Sequence, residues 1–236
     1  MKRRLARLLL LLLMTSMALT PASAEELRGY NSRDGYQYVL FGSYPCDEDG
    51  RAEPILWRVL AVSNNKALLM SEYILDNHIY LEQEYRTPGA AEREFQNSRL
   101  REYMNYTFYN TAFSEQEQYA LLRYGNMGRV FVLGKAELTN PSFGFRSDPD
   151  AADSARSAFA TPYALERGCW ADKDTGLSNY WIATPTDHNM YMGRTNGSLG
   201  EAKVTRQNVG FRASIFLDTT AWEFSYGSGT LEFPLW

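Results

Sequence analysis

The stretch Asn208–Asp218, NVGFRASIFLD, carries the cleanest strand pattern in the chain. Val209, Phe211, Ala213, Ile215 and Leu217 fall on one face, and Gly210, Arg212, Ser214, Phe216 and Asp218 on the other. Side chains of a strand alternate between faces, so the first set predicts a core face and the second a polar one. Arg212 on the polar face is either buried with a carboxylate or lines a pocket, and pairing is the commoner fate of a buried arginine. Upstream, Asn179–Pro185 (NYWIATP) opens the same third of the chain with a second strand.

Outward from there, Tyr36–Phe41, Ile55–Val62, Ala67–Ser71 and Arg129–Leu133 also read as strands. Asn64-Asn65 between the second and third is turn chemistry, because asparagine tolerates positive φ. Two helices are predicted mid-chain. The first is capped by Asn97 or Ser98 and runs to about Tyr109, with Leu100, Tyr103, Met104, Thr107 and Phe108 on one stripe. The second opens with the capping box Ser114-x-x-Glu117 and ends near Tyr124-Gly125. A short third helix is bracketed by Thr161-Pro162 and Gly168. Long polar loops cover 140–157 and 170–179, and the functional loops are placed at 170–179 and 185–208. Strands and helices do not alternate, so the fold class is α+β, with a small twisted, mostly antiparallel sheet.

The first 24 residues read as a secretory signal peptide. Lys2, Arg3, Arg4 and Arg7 precede the apolar run Leu8–Met14, and Ala22-Ser23-Ala24 is a small-x-small cleavage site. The run is too short to span a bilayer. Residues 25–35 read as a loose lead-in, 36–218 as the domain, and 219–236 as a C-terminal hairpin extension with an aromatic face. The whole sequence has a net charge of −4; without the four leader cations, 20 basic residues stand against 28 acidic ones, a net charge of −8. Such a chain is a poor match for nucleic acid or anionic membrane surfaces. An exported chain with two cysteines, Cys46 and Cys169, suggests a disulfide, the alternative being two free thiols.

Several segments resemble, in order, the secreted bacterial proteins grouped as domain of unknown function 6273. They are FGSYP (41–45), PILWRVLAV (54–62), ALLMSEYILD (67–76), NSRLREYMNYTFYNTAFSEQE (97–117), VFVLG (130–134), TPYALERG (161–168), YWIATP (180–185) and GFRASIFLD (210–218). The GFR segment is also similar to the end of C-type-lectin-like domains of the formylglycine-generating type. That second resemblance implies a C-type-lectin-like fold in which the closing strand pairs with Tyr36–Phe41. It does not imply formylglycine chemistry, which needs a close cysteine pair in the last third.

The chemistry-bearing residues are sparse. His78 and His188 are the two histidines. His188 beside Asp187 is the anchor for any hydrolase or oxidase, with Cys169 as a candidate partner, but Gly-x-Ser-x-Gly is absent. Asp172-x-Asp174-x-Gly176 and Asp47-x-Asp49-Gly50 lack the closing glutamate of a calcium loop, so no metal and no cofactor is expected. Aromatic residues make up 14% of the chain and serve either as core or as a stacking surface. The expected function is a secreted, non-catalytic recognition module for a glycan or peptide. Its candidate contacts are Trp170, Tyr180, Trp181, Asp187, His188, Asn189, Tyr191 and Arg194. The alternatives are the enzyme using His188 and Asp187, and an envelope or structural protein that docks through its aromatic tail.

Overall fold

The computed structural model describes residues 26–82 and 89–236, so the signal peptide read over 1–24 lies outside the described residues. The strands are β1 (Gln37–Pro45), β2 (Ala52–Ser63), β3 (Lys66–Ser71), β4 (Asp76–Asn77), β5 (Leu121–Leu122), β6 (Val130–Phe131), β7 (Tyr180–Pro185), β8 (Met190–Gly193), β9 (Leu199–Ala202), β10 (Gly210–Phe211) and β11 (Ser214–Asp218). The helices are α1 (Ala90–Arg93), α2 (Arg99–Tyr103), α3 (Tyr109–Ala112), α4 (Glu115–Ala120), α5 (Lys135–Leu138) and α6 (Pro162–Glu166). The result is a mixed, mostly antiparallel α+β architecture, and no described helix is long and apolar enough to cross a membrane.

Two sheets share the closing stretch. One runs β1-β2-β3-β11-β5, with β6 also on β11; the other runs β4-β10-β7-β8-β9. Asn208–Asp218 is therefore not one strand but two, broken at Arg212-Ala213. β10 pairs with β4 and, in parallel, with β7, while β11 pairs with β3, β5 and β6. The expected partner, Tyr36–Phe41, is not on β11. β1 has β2 on one side, and Leu235 bridges to Val39 from outside. Nor does the stretch have a polar face: Gly210, Arg212 and Ser214 are as buried as Phe211 and Ile215, because sheets and loops cover both sides.

Local chemistry explains the elements that form as expected. The β2–β3 hairpin turns on Asn64 (φ 49°) and Asn65 (φ 60°), the positive pair a tight right-twisted turn needs. Ser98 caps α2 by accepting from the Arg101 N–H at 3.0 Å. A π-type turn over Met104–Phe108 joins α2 to α3, and Leu100, Met104 and Phe108 face the core. That turn widens the helical stripe, so Thr107 faces solvent. Ser114 and Glu117 close their capping box on α4, which ends at Ala120, not near Tyr124: Leu121 and Leu122 pair instead with Leu217 and Phe216. Thr161 caps α6, and Gly168 (φ 95°) follows it.

Other expectations are overturned. Residues 26–35 are not loose: Tyr30 N–H donates to Leu60 O at 3.1 Å, and Gly29 packs so closely that a Cβ would sit 2.8 Å from the Ala61 Cα. The tail is not a free-standing extension: its two arms pair through Tyr226 and Trp236, which exchange backbone hydrogen bonds at 3.1 and 3.0 Å, and it packs on the sheet. Gly227 and Gly229, both at positive φ, bend it back along the β1 edge. There Tyr38 N–H donates to Gly229 O, Leu40 N–H to Leu235 O and Leu235 N–H to Tyr38 O. The span 185–208 is not a long loop but the meander β8–β9. Cys46 and Cys169 are both free. Cys169 is buried against Gly210, whereas Cys46 sits half-exposed beside Glu53, so the two thiols keep separate neighbours.

The core joins both sheets. Trp57 is fully buried and donates its indole N–H to Phe41 O at 2.7 Å. Asp76 is a buried polar pin. Its carboxylate accepts from the Tyr44 and Tyr103 hydroxyls (2.7 and 2.6 Å), the Arg167 Nε (2.6 Å) and the Asn77 N–H (2.7 Å), tying β1, α2 and α6 to β4. Burial first, and then the Asp76 charge, push both tyrosine hydroxyls well above the ordinary phenol range. Arg212 is fully buried and structural. It donates to Ser71 O at 2.9 Å and stands 4.0 Å from Glu72, whose carboxylate also holds Arg58 through Nε (2.9 Å) and Nη2 (2.7 Å).

Candidate functional site

The residues singled out from the sequence do not converge. Tyr180 and Trp181 are core: the Tyr180 hydroxyl donates to Arg156 O (2.7 Å) and the Trp181 indole N–H to His78 O (3.2 Å). That removes the Trp181 stacking surface. Trp170 is 41% exposed, but it is tied to Asn208 in another part of the fold. Asp187 and His188 are exposed on the β7–β8 turn, and among the described residues no Ser, Cys or carboxylate hydrogen-bonds to His188. Cys169, its suggested partner, is buried, and burial pushes its thiol up to about 11, away from a reactive thiolate. Asn189 shares Glu201 with Thr186 (3.1 and 3.2 Å). Arg194 is exposed on the β8–β9 turn, at the other end of β8. The two calcium-like loops spend their lead carboxylates on themselves: Asp172 Oδ1 accepts from Thr175 N–H and Oγ1, and Asp47 from Arg51.

Tyr191 does not line a cavity itself, but it contacts α5, which does. Its hydroxyl accepts from Lys135 Nζ at 3.1 Å, and that ammonium lies 4.6 Å from the ring centroid. Lys135 begins α5, whose N-terminus is fastened to β7: Lys135 N–H donates to Thr184 Oγ1 at 2.8 Å, and Ala183 N–H donates to Leu133 O at 2.9 Å. Thr184, Ala183, Gly134 and Glu137 form one wall of a cavity of about 440 Å³.

Its floor is made by the sheet. Phe216 stands opposite Leu68 on β3, and Phe131 opposite Ser214, two residues before Phe216 on the same strand. Period-two geometry puts Leu68, Phe131 and Phe216 on one face. The far wall is the turn Tyr124–Met127, closed by Tyr124 N–H donating to Gly128 O at 2.7 Å. Asn105 of the π-type turn holds it: its Oδ1 accepts from Arg129 and Val130 N–H at 2.7 and 3.2 Å. Gly128 (φ 100°) is needed there, since a Cβ would strike the Asn105 side chain. Tyr124 is 43% exposed and closes an aromatic triad, 5.0 Å from Phe131 and 5.2 Å from Phe216, with Phe131 and Phe216 5.7 Å apart. The groove is apolar, with Glu137, Thr184 and Asn126 supplying polar side chains. Glu137 is already engaged, its Oε2 accepting from Gly134 N–H at 3.0 Å.

A family model described as a domain of unknown function (DUF6273) matches residues 64–219. The chain belongs to the DUF6273 family. The match contains every residue of the aromatic groove, while β1, β2 and nearly all of the tail lie outside it. No curated protein and no solved structure matches the chain. For this DUF6273 member the site is therefore defined by its geometry. One sequence signal pointed to it: Phe216 is the large apolar residue among Gly210, Arg212, Ser214 and Asp218 on the side read as polar. Tyr124 gave no signal, since it fell where a helix end was expected.

Proposed function

We propose that this protein is an exported, non-catalytic recognition module whose aromatic groove takes an apolar side chain of an extended peptide. The observation that carries the reading is the Tyr124–Phe131–Phe216 triad lining an open cavity, with Tyr124 exposed at its lip. Binding sites are typically concave and apolar with few placed polar groups. A sugar would need more hydrogen-bonding groups than Thr184, Asn126 and the already engaged Glu137 supply, which favours peptide over glycan. Export rests on the leader-like residues 1–24. The C-type-lectin-like description belongs to this reading as well, supported by the long decorating loops and by the meeting of Val39 with Leu235 near the chain's two ends.

A random-peptide array and a glycan array, probed with wild type and Tyr124→Ala, test the proposal. Selected peptides should share a Phe, Leu, Ile or Met anchor, and Tyr124→Ala should lose them. Selection of glycans alone, or of peptides that Tyr124→Ala retains, would overturn it. A second reading, docking to an envelope partner through the tail, is favoured by the exposed side chains of Tyr226, Leu231, Phe233 and Trp236. Alanines at all four positions should abolish such docking while leaving array binding intact.

A further inference from the structure

Around the groove the charge balance of the molecule reverses. The chain as a whole is acidic, yet Arg101 and Arg123 contact the Tyr124–Met127 wall, Arg129 lies at the base of that turn, and Lys135 follows Gly134 on the opposite wall. Two of these cations are fixed on the lining itself: Arg123 Nε donates to Gly125 O at 3.0 Å, and Arg101 Nε donates to Asn126 O at 2.7 Å. Arg129 Nε donates to Leu121 O at 3.3 Å, at the base of the same turn. Lys135 bridges to Tyr191 beyond Thr184.

Carbonyls and a phenol hold these four side chains. Among the described residues none of the four is in an ion pair, as is also true of Arg28, Arg33, Arg146, Arg194 and Arg206 elsewhere on the surface. An arginine whose Nε is bound to a carbonyl keeps its two Nη groups as a fork for a carboxylate. The lining carboxylate, Glu137, accepts from the Gly134 N–H and keeps its charge, so it offsets one of the four cations. The rim therefore presents four positive groups, held by backbone carbonyls and a phenol and free of ion pairs, against the single lining carboxylate of Glu137.

We infer that the groove's ligand is an acidic peptide segment, an apolar anchor residue flanked by Asp or Glu, with Arg123, Arg129 and Arg101 meeting the carboxylates on one side and Lys135 on the other. The inference rests on the reading of the groove as a peptide site and adds the charge of the ligand to it. Charge complementarity of this kind sets partner choice and encounter rate, and it weakens with salt because exposed charges are screened beyond about 8–10 Å at ordinary ionic strength.

The test uses three fluorescein-labelled synthetic peptides with the same Phe-Leu core, flanked by glutamates, by serines or by lysines. Affinities are measured by anisotropy on the wild type at low and high salt and on Arg123→Ala/Arg129→Ala. The glutamate-flanked peptide should bind about tenfold more tightly than the serine-flanked one, and the lysine-flanked peptide least. High salt and the double variant should each erase that order. Equal affinity for all three would overturn the charge assignment while leaving the groove reading intact. Binding of none would overturn both. The salt series on the wild type decides the matter even if the double variant folds poorly.

Discussion

Glu72 shows how a single residue holds this interior. Its carboxylate binds Arg58 in a two-pronged arrangement and stands 4.0 Å from Arg212, and both guanidinium groups are buried. Burial, followed by the Arg58 charge, pulls Arg212 below the ordinary arginine range. Removing the shared counter-charge strands two buried cations, so Glu72→Gln should cost about 3 to 5 kcal/mol in urea denaturation; a loss below 1 kcal/mol on the same scale would mean that water reaches the cluster. Cys169 makes a second residue-scale prediction. Burial lifts its folded pKa from 9.0 to about 11, so its contribution is intact below pH 9 and is lost as pH rises through 11. Two pH units correspond to about 2 to 3 kcal/mol. Cys169→Ala should flatten the stability curve between pH 9 and 11, and an unchanged slope would assign the alkaline loss to other groups, such as Tyr36, raised by burial to about 12. At this scale the sequence was readable where chemistry is local. The asparagine turn and the Ser114 box follow from neighbours in the chain. The free state of Cys46 and Cys169 and the burial of Trp181 depend on packing among distant segments, which periodicity does not encode.

At the scale of elements, the closing stretch is a hinge between two sheets. Phe211 O accepts from Leu75 N–H at 3.1 Å and Ala213 O from Ser71 N–H at 2.8 Å, so the residues around Arg212 pass the chain from one sheet to the other. Gly210 makes the close approach feasible: a Cβ there would stand 2.3 Å from Ile74 Cγ2 and 2.9 Å from Asp76 O. Gly210→Ala should therefore cost about 1 to 3 kcal/mol through overpacking. A variant with wild-type thermal stability would show that the hinge yields freely. Alternation identified the strand character of 210–218 but not its division into two strands, because Arg212 and Ser214 look like a solvent face when they are in fact covered. The same limit hid β8 and β9, whose short runs are separated by turns rich in Thr, Asn and Gly. It also hid the groove, since Tyr124, Phe131 and Phe216 come from three separate elements.

For the molecule as a whole, the tail is part of the fold. Leu235 and Phe224 are buried, Trp222 packs edge-on against Phe41 at 4.9 Å, and the segment supplies hydrogen bonds to the outer edge of β1. Deleting 219–236 uncovers a strand edge and an aromatic core face at once, and uncovered edges template association. The truncated protein should melt at a lower temperature and self-associate in light scattering; a monomer of unchanged Tm would show the tail to be an accessory. The mixed, mostly antiparallel class was legible from the spacing of the strands, whereas the division into two sheets was set by long-range pairing. The central claim is that the aromatic groove binds peptide, and it is tested most directly by the Kd of the glutamate-flanked Phe-Leu peptide for wild type and Tyr124→Ala. The groove account predicts at least about a tenfold loss with only a small drop in Tm, since Tyr124 is half-exposed and its buried part contacts only Phe131 and Phe216 in the triad. Equal affinity for the two proteins would contradict it.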